Sequence, residues 1–147
     1  DFDTRFKVNP PIRDAAHQQA LINGVLNGTI DVITSDHCAM DIEHKKMEFD
    51  MAKDGTIGLE SAFGALLEIL PLNVVVEKLQ SSKSIFLKDS NEIKVGSKAD
   101  LTLFDPSKEW TFTKNDIISK SKNSAFLNHK MKGFVYGIYN NDKLIIN

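Results

Sequence analysis

The pattern of apolar and polar positions near the start of the chain predicts a helix followed by a strand. Small and apolar residues from Ala16 to Val25 recur at helical spacing, after a possible N-cap, Asp14, and before a helix-ending glycine, Gly28. The β-branched run Ile30–Thr34 is typical of a strand that is buried on both faces of a parallel sheet. This succession predicts one helix–strand unit of an α/β fold.

Further helices are predicted after a charged segment that is too polar to belong to a core. The first covers Leu59–Leu70 and ends at Pro71. The second begins at Asn73, which can serve as its N-cap, and continues without a break through Leu87.

Helical periodicity disappears near Lys88, and strand patterns follow. The predicted strands are Leu101–Phe104, Glu109–Thr113 and the two arms of a hairpin in Gly133–Asn147. The hairpin turn falls at Asn140–Asp142, because these residue types tolerate positive φ. We therefore predict two units, an α/β part over residues 1–88 and a mainly β part over residues 89–147.

Composition narrows the class of protein. The 147 residues are 41% hydrophobic and 26% charged, with a net charge of −2, as in a globular domain without a nucleic-acid-binding surface. No apolar stretch reaches the length of about 20 residues that a membrane span needs, and no targeting segment is visible. With the single cysteine Cys38, no internal disulfide can form, so we expect a cytoplasmic protein. Because it does not start with Met, we expect the chain to begin inside a longer gene product.

The stretch "VITSDHCAM" holds the main candidate for chemistry. Asp36 follows the predicted strand at its carboxyl end, where functional groups of α/β proteins gather, and could act as a metal ligand or a general base. From the residues alone, capping of the next turn is the more frequent role of such an aspartate. Of the remaining histidines, His17 and His44 are expected at the surface and His129 is isolated, whereas Cys38 is expected to be a small buried residue.

Five ordered motifs add a family resemblance. They are "FKVNPPIR", "NGTIDVITSDH", "GTIGLESAF", "VGSKADLTLFDPSKEWT" and "SKSKNSAF". In this order and spacing the chain resembles the C-terminal part of dihydroorotases, which belong to the amidohydrolase superfamily. The resemblance implies the last part of a (β/α)8 TIM barrel followed by strands of a small β-sandwich domain.

The resemblance also implies an activity and a site. Dihydroorotases are zinc-dependent hydrolases of pyrimidine biosynthesis that interconvert N-carbamoyl-aspartate and dihydroorotate. In this chain Asp36 matches the metal-associated carboxylate that serves as acid and base, and Asn9 matches a residue that hydrogen-bonds the substrate ring. Asp54 and Gly55 match the backbone segment that lies against the pyrimidine.

The sequence departs from the family pattern in the turn after Asp36. Met40 stands where active members carry a histidine that binds the substrate carboxylate, and Ala39 replaces the preceding proline. The family's "PFG" motif is Lys53-Asp54-Gly55 in this chain, and Lys53 is a candidate cation in place of the missing histidine. The family's histidine ligands and bridging lysine lie on earlier strands, and a barrel needs about 250 residues. We therefore expect an incomplete zinc site, an inactive isolated chain, and a partner in the remainder of the barrel or another chain.

Two alternatives stay open. The protein could be a catalytically inactive relative that supports another enzyme, such as aspartate transcarbamoylase, and the absence of the histidine at Met40 favours this. It could instead be a hydantoinase-like amidohydrolase, although "NPPIR" and "SKSKN" favour dihydroorotase.

Overall fold

The computed structural model describes residues 2–87 and 93–147. The helices are α1 (Ala15–Leu26), α2 (Ala62–Leu67) and α3 (Leu72–Leu87), and the strands are β1 (Asp100–Thr111), β2 (Lys130–Asn140) and β3 (Lys143–Ile146). None of these helices is long and apolar enough to cross a membrane. The predicted boundary at Lys88 lies outside the described residues, so the division into two units stays a prediction.

Helix α1 has the ends that its sequence predicts. The Asp14 carboxylate accepts a hydrogen bond from the backbone N–H of His17 at 3.0 Å, which caps the first turn. This bond lowers the pKa of Asp14 below its ordinary value, because it stabilises the ionised form. At the other end Gly28 adopts φ +79°, the left-handed conformation that terminates many helices.

The prediction of a strand over Ile30–Thr34 is wrong. This stretch has no strand structure, although Ile30 and Ile33 pack against the core formed by the three helices. The backbone N–H of Ile33 donates to the carbonyl of Lys78 in α3 rather than to a neighbouring strand. A strand requires a partner along its edge, and none of the three described strands lies beside this stretch.

The two later helices differ from their predicted bounds. Helix α2 is shorter than the predicted Leu59–Leu70: residues 59–61 form a turn before it, and beyond it Ile69 bonds three residues back to Leu66. Asn73 lies inside α3 and is not its N-cap, since the carbonyl of Pro71 already accepts from Val75. The predicted continuity through Leu87 is confirmed.

The strands form one antiparallel sheet in the order β1-β2-β3. The two predicted strands around residues 101–113 are parts of the single strand β1, whose register shifts between Asp105 and Glu109. Pro106 lies in this irregularity, where its missing N–H costs no ladder bond. The hairpin is confirmed, and its turn residues Asn141 and Asp142 have φ values of +48° and +58°.

The sheet packs against α2 through two close approaches. A Cβ on Gly64 of α2 would lie 3.0 Å from the Cβ of Met131 in β2, and one on Gly133 would lie 2.3 Å from Leu67. A buried cluster beside this contact contains Ile57, Phe112, Ile117 and Met131. Because Ile57 belongs to it, the loop that precedes α2 is anchored in the core, and this anchors the candidate site.

Candidate functional site

The loop after Asp36 and the loop around Gly55 run side by side. The N–H of Cys38 donates to the carbonyl of Thr56 at 2.9 Å. On the other side, the N–H of Ile57 donates to the carbonyl of Asn123 at 3.0 Å, and the Asn123 amide donates to the carbonyl of Gly55 at 3.0 Å. Residues 55–57 are therefore held between the Asp36 loop and the segment that follows β1.

Asp36 has an exposed side chain and a left-handed backbone, with φ +43°. Non-glycine residues adopt this conformation uncommonly, although aspartate tolerates it. In the described part of the chain no hydrogen bond or ion pair engages its carboxylate, so Asp36 does not cap the following turn. The carboxylate is accessible for a ligand or a proton.

Both neighbours of Asp36 contact the turn before α2. A Cβ on Gly58 would lie 2.7 Å from the carbonyl oxygen of Ser35, so only glycine allows this approach. On the other side of Asp36, the Nδ1 atom of His37 accepts hydrogen bonds from the N–H groups of Gly58 at 3.3 Å and Leu59 at 3.2 Å. The backbone of Asp36 is thus held at both ends.

Glu60 adds an acidic group beside His37. One carboxylate oxygen accepts from the N–H groups of Ile118 and Ser119, and the other lies 3.8 Å from His37 Nδ1. That second oxygen is buried without a hydrogen-bond partner among the described residues. From the sequence, His37 formed only a weak Asp-His motif with Asp36, and Glu60 was missed although it lies in the "GTIGLESAF" motif.

Gly55 has φ +136°, and a Cβ at this position would lie 2.9 Å from Cys38 Sγ and 3.3 Å from Met40 Cε. Met40 therefore directs its thioether toward the segment matched to the pyrimidine. The N–H of Gly55 donates to the carbonyl of Lys7, which brings the segment of Asn9 to the same place. The side chains of Asn9 and Asp54 are exposed, and no hydrogen bond joins either to Asp36 within residues 2–87 and 93–147.

Lys45 is buried, with 4% of its surface exposed, although the sequence predicts its charged segment to lie outside the core. Its ammonium group donates to the carbonyl oxygens of Thr4 at 3.0 Å, Lys7 at 3.1 Å and Lys53 at 2.8 Å. Burial lowers the pKa of Lys45, and the nearby Asp54 carboxylate offsets part of this effect. No motif indicated this residue.

The remaining candidates lie apart from one another. His17 is exposed as predicted and His129 is exposed too, whereas His44 and Cys38 are half-buried. Within residues 2–87 and 93–147, no group of at least three His, Cys, Asp or Glu side chains is placed to hold a metal ion. Asp36 is therefore the one sequence-predicted metal ligand of this chain.

The comparisons with known proteins agree with the motifs. No family model matches, but the dihydroorotase of Citrifermentans bemidjiense is 39% identical over 90% of this chain. The dihydroorotase of Caldicellulosiruptor saccharolyticus is 37% identical over 98% of it. The chain is similar to dihydroorotases. It spans about a third of their length, 32% and 35% respectively, so the predicted resemblance to one part of a dihydroorotase is confirmed.

Solved structures show the fold. The L-hydantoinase of Arthrobacter aurescens superposes with a TM-score of 0.87 at 25% identity, over 99% of this chain and 35% of its own. A D-hydantoinase superposes with a TM-score of 0.84 at 23% identity, over 98% of this chain and 34% of its own. The dihydroorotase-like chain thus has the fold of about a third of a hydantoinase, an α/β piece with a three-stranded sheet.

Proposed function

We propose that the whole protein to which this chain belongs hydrolyses a cyclic amide, with dihydroorotate as its substrate. Two observations support the proposal: the 39% identity with a dihydroorotase and the accessible carboxylate of Asp36, whose backbone is held on both sides. The second carries more weight for the chemistry, because an acid/base group must be held within reach of the proton that it moves.

Asp36 would act in both steps of the reaction, first as a base and then as an acid. As a carboxylate it takes a proton from the attacking water, whose oxygen forms a bond to the ring carbonyl carbon. As a carboxylic acid it returns that proton to the ring nitrogen when the C–N bond breaks, which opens dihydroorotate to N-carbamoyl-aspartate. The reverse sequence closes the ring. Gly58 and His37 hold the neighbouring backbone, so the carboxylate needs little rearrangement between the two steps.

The chain contributes to a zinc site only in part. Catalytic zinc takes roughly three protein ligands and polarises a carbonyl or a bound water. Asp36 is an oxygen donor suited to this role, but the described residues hold no cluster around it. We propose that Asp36 is one ligand of a site that residues from elsewhere complete.

The binding side of the site would be the paired loops. Gly55 lets the backbone approach Cys38 and Met40 closely, because any side chain at this position would run into both. Asn9 and Asp54 are exposed near this position and would supply the polar contacts to the ring.

Replacement of Asp36 tests the proposal. In the whole protein, Asp36→Asn should lower kcat for dihydroorotate by roughly 100-fold or more and leave ligand binding in place. The matched control is Asp41→Asn, since Asp41 is exposed and its side chain makes no capping bond. Equal turnover in the two variants would contradict a role for Asp36 in proton transfer.

A second candidate function is hydrolysis of another cyclic amide, such as a hydantoin. Two observations favour it. Met40 stands where the similar dihydroorotases carry a carboxylate-binding histidine, and hydantoinase structures superpose closely on this chain. A hydantoin without a carboxylate and dihydroorotate should be assayed side by side. Turnover of the hydantoin alone would assign the second function. Turnover of neither would favour an inactive relative, and co-purification with aspartate transcarbamoylase would then test the supporting role.

A further inference from the structure

All three hydrogen-bond donors of the Lys45 side chain bind backbone carbonyls. An ammonium group has three N–H donors, and they meet the carbonyl oxygens of Thr4, Lys7 and Lys53 at 3.0, 3.1 and 2.8 Å. The residue is 4% exposed, so water cannot readily replace these bonds. Each carbonyl is the negative end of a dipole, and three of them together take the place of a carboxylate partner.

The three carbonyls belong to two separate segments of the chain. Thr4 and Lys7 lie in the segment that leads to Asn9, whereas Lys53 directly precedes Asp54 and Gly55. These are the segments assigned to substrate binding under the proposed function. Lys45 lies between them, near the end of the loop that begins at Asp36.

Two further hydrogen bonds reinforce the same junction. The Thr4 hydroxyl donates to the carbonyl of Lys45 at 2.7 Å, so Thr4 and Lys45 bind each other in both directions. The N–H of Gly55 donates to the Lys7 carbonyl at 3.0 Å, so this oxygen accepts from both Gly55 and Lys45. The position of Gly55 therefore depends on an oxygen that Lys45 also holds.

We propose that Lys45 is a positioning residue for the cyclic-amide site, where its ammonium group fixes the segment that carries Asn9 against the segment that carries Asp54 and Gly55. The proposal rests on the proposed function for the identity of the ligand. It does not include contact between Lys45 and the ligand, because its three donors are already occupied.

Lys45→Met in the whole protein tests the proposal, because methionine has a similar shape and no donor. Lys46→Met is the matched control, since Lys46 is exposed. Thr4→Val is a milder second variant that removes one bond of the same junction. Hydrogen exchange should be measured for residues 3–9 and 53–57, with α1 as the internal reference, together with KM and kcat for dihydroorotate.

We expect exchange in the two segments to become roughly tenfold faster in Lys45→Met, with α1 unchanged, because three backbone carbonyls lose a charged donor. KM should rise by about tenfold while kcat changes less, since Asp36 is held by Gly58 and His37 instead. Thr4→Val should also speed up exchange and raise KM, each by a smaller factor. Lys46→Met should change neither the exchange rate nor KM.

Unchanged exchange in both segments would overturn the proposal, and so would faster exchange with an unchanged KM. If Lys45→Met unfolds or exchanges faster everywhere, Thr4→Val decides: a local increase in residues 3–9 supports the proposal and no local increase overturns it. A parent protein without turnover would refute the proposed function separately. The exchange comparison would still show whether Lys45 holds the two segments together.

Discussion

His37 accepts a backbone hydrogen bond from Leu59 at 3.2 Å, which ties the residue after Asp36 to the turn that precedes α2. The same Nδ1 atom accepts from the N–H of Gly58 at 3.3 Å, so one ring nitrogen serves two backbone donors. The half-buried ring thus acts as an acceptor for two N–H groups of the turn that precedes α2.

Removal of this acceptor should destabilise the fold. His37→Leu leaves two backbone N–H groups without a partner and should lower the free energy of unfolding by about 1–3 kcal/mol. His37→Asn should lose less, because its side-chain oxygen can accept from the same groups. Denaturant unfolding of both variants measures the difference, and equal losses would mean that packing of the ring matters more than the acceptor.

The N-cap of α1 should make a pH-dependent contribution to stability. The N–H of His17 lowers the pKa of Asp14 below its ordinary value of 3.8, so the contribution is present above this pH and is lost as the pH falls through the folded-state pKa. Asp14→Ala should therefore lower Tm near neutral pH, and the difference from the parent should shrink below pH 3.8. Asp31→Ala is the control, since Asp31 is exposed and caps no helix. A Tm difference that does not vary with pH would contradict the expectation.

Gly55 should tolerate alanine less well than Gly28. Both have positive φ, +136° and +79°, but a Cβ on Gly28 meets no atom within 4 Å, whereas one on Gly55 meets Cys38 Sγ at 2.9 Å. Gly28→Ala should cost about 1–2 kcal/mol from backbone strain alone. Gly55→Ala should cost more in stability and should also raise KM, as unfolding and kinetic measurements on the whole protein would show. Equal costs would mean that the Cys38 side chain moves aside freely.

The thioether of Met40 lies beside Gly55 and cannot pair with a substrate carboxylate. In an active whole protein, Met40→His should lower KM for dihydroorotate by about tenfold, because a charge-assisted hydrogen bond replaces an apolar contact. Met40→Leu keeps the apolar contact and serves as the control. An unchanged KM in Met40→His would indicate that Lys53 or another cation already binds the carboxylate.

The isolated 147-residue chain should not hydrolyse dihydroorotate, because Asp36 is the one zinc ligand that the sequence predicts and residues 2–87 and 93–147 hold no cluster of three such groups. Turnover should be assayed with added zinc, with and without a chelator, and with the whole protein as the positive control. Turnover by the purified chain that the chelator abolishes would show that the chain completes a metal site by itself.

The sequence by itself determined the features that depend on neighbouring residues. The ends of α1 follow from Asp14 and Gly28, and the β2–β3 turn follows from Asn141 and Asp142, since capping and positive φ are properties of short stretches of chain. The ordered motifs also identified the similarity to dihydroorotases, because they keep both residue type and spacing.

Only the tertiary structure decided the features that join distant residues. Ile30–Thr34 has the composition of a strand, but it has no partner among the three described strands and bonds to α3 instead. Lys45 looks like a surface residue until the carbonyls of residues 4, 7 and 53 surround it, and Glu60 lies far in sequence from the N–H groups of residues 118 and 119. Partners 8 to 59 residues away leave no local pattern, since their contacts form only when the chain folds.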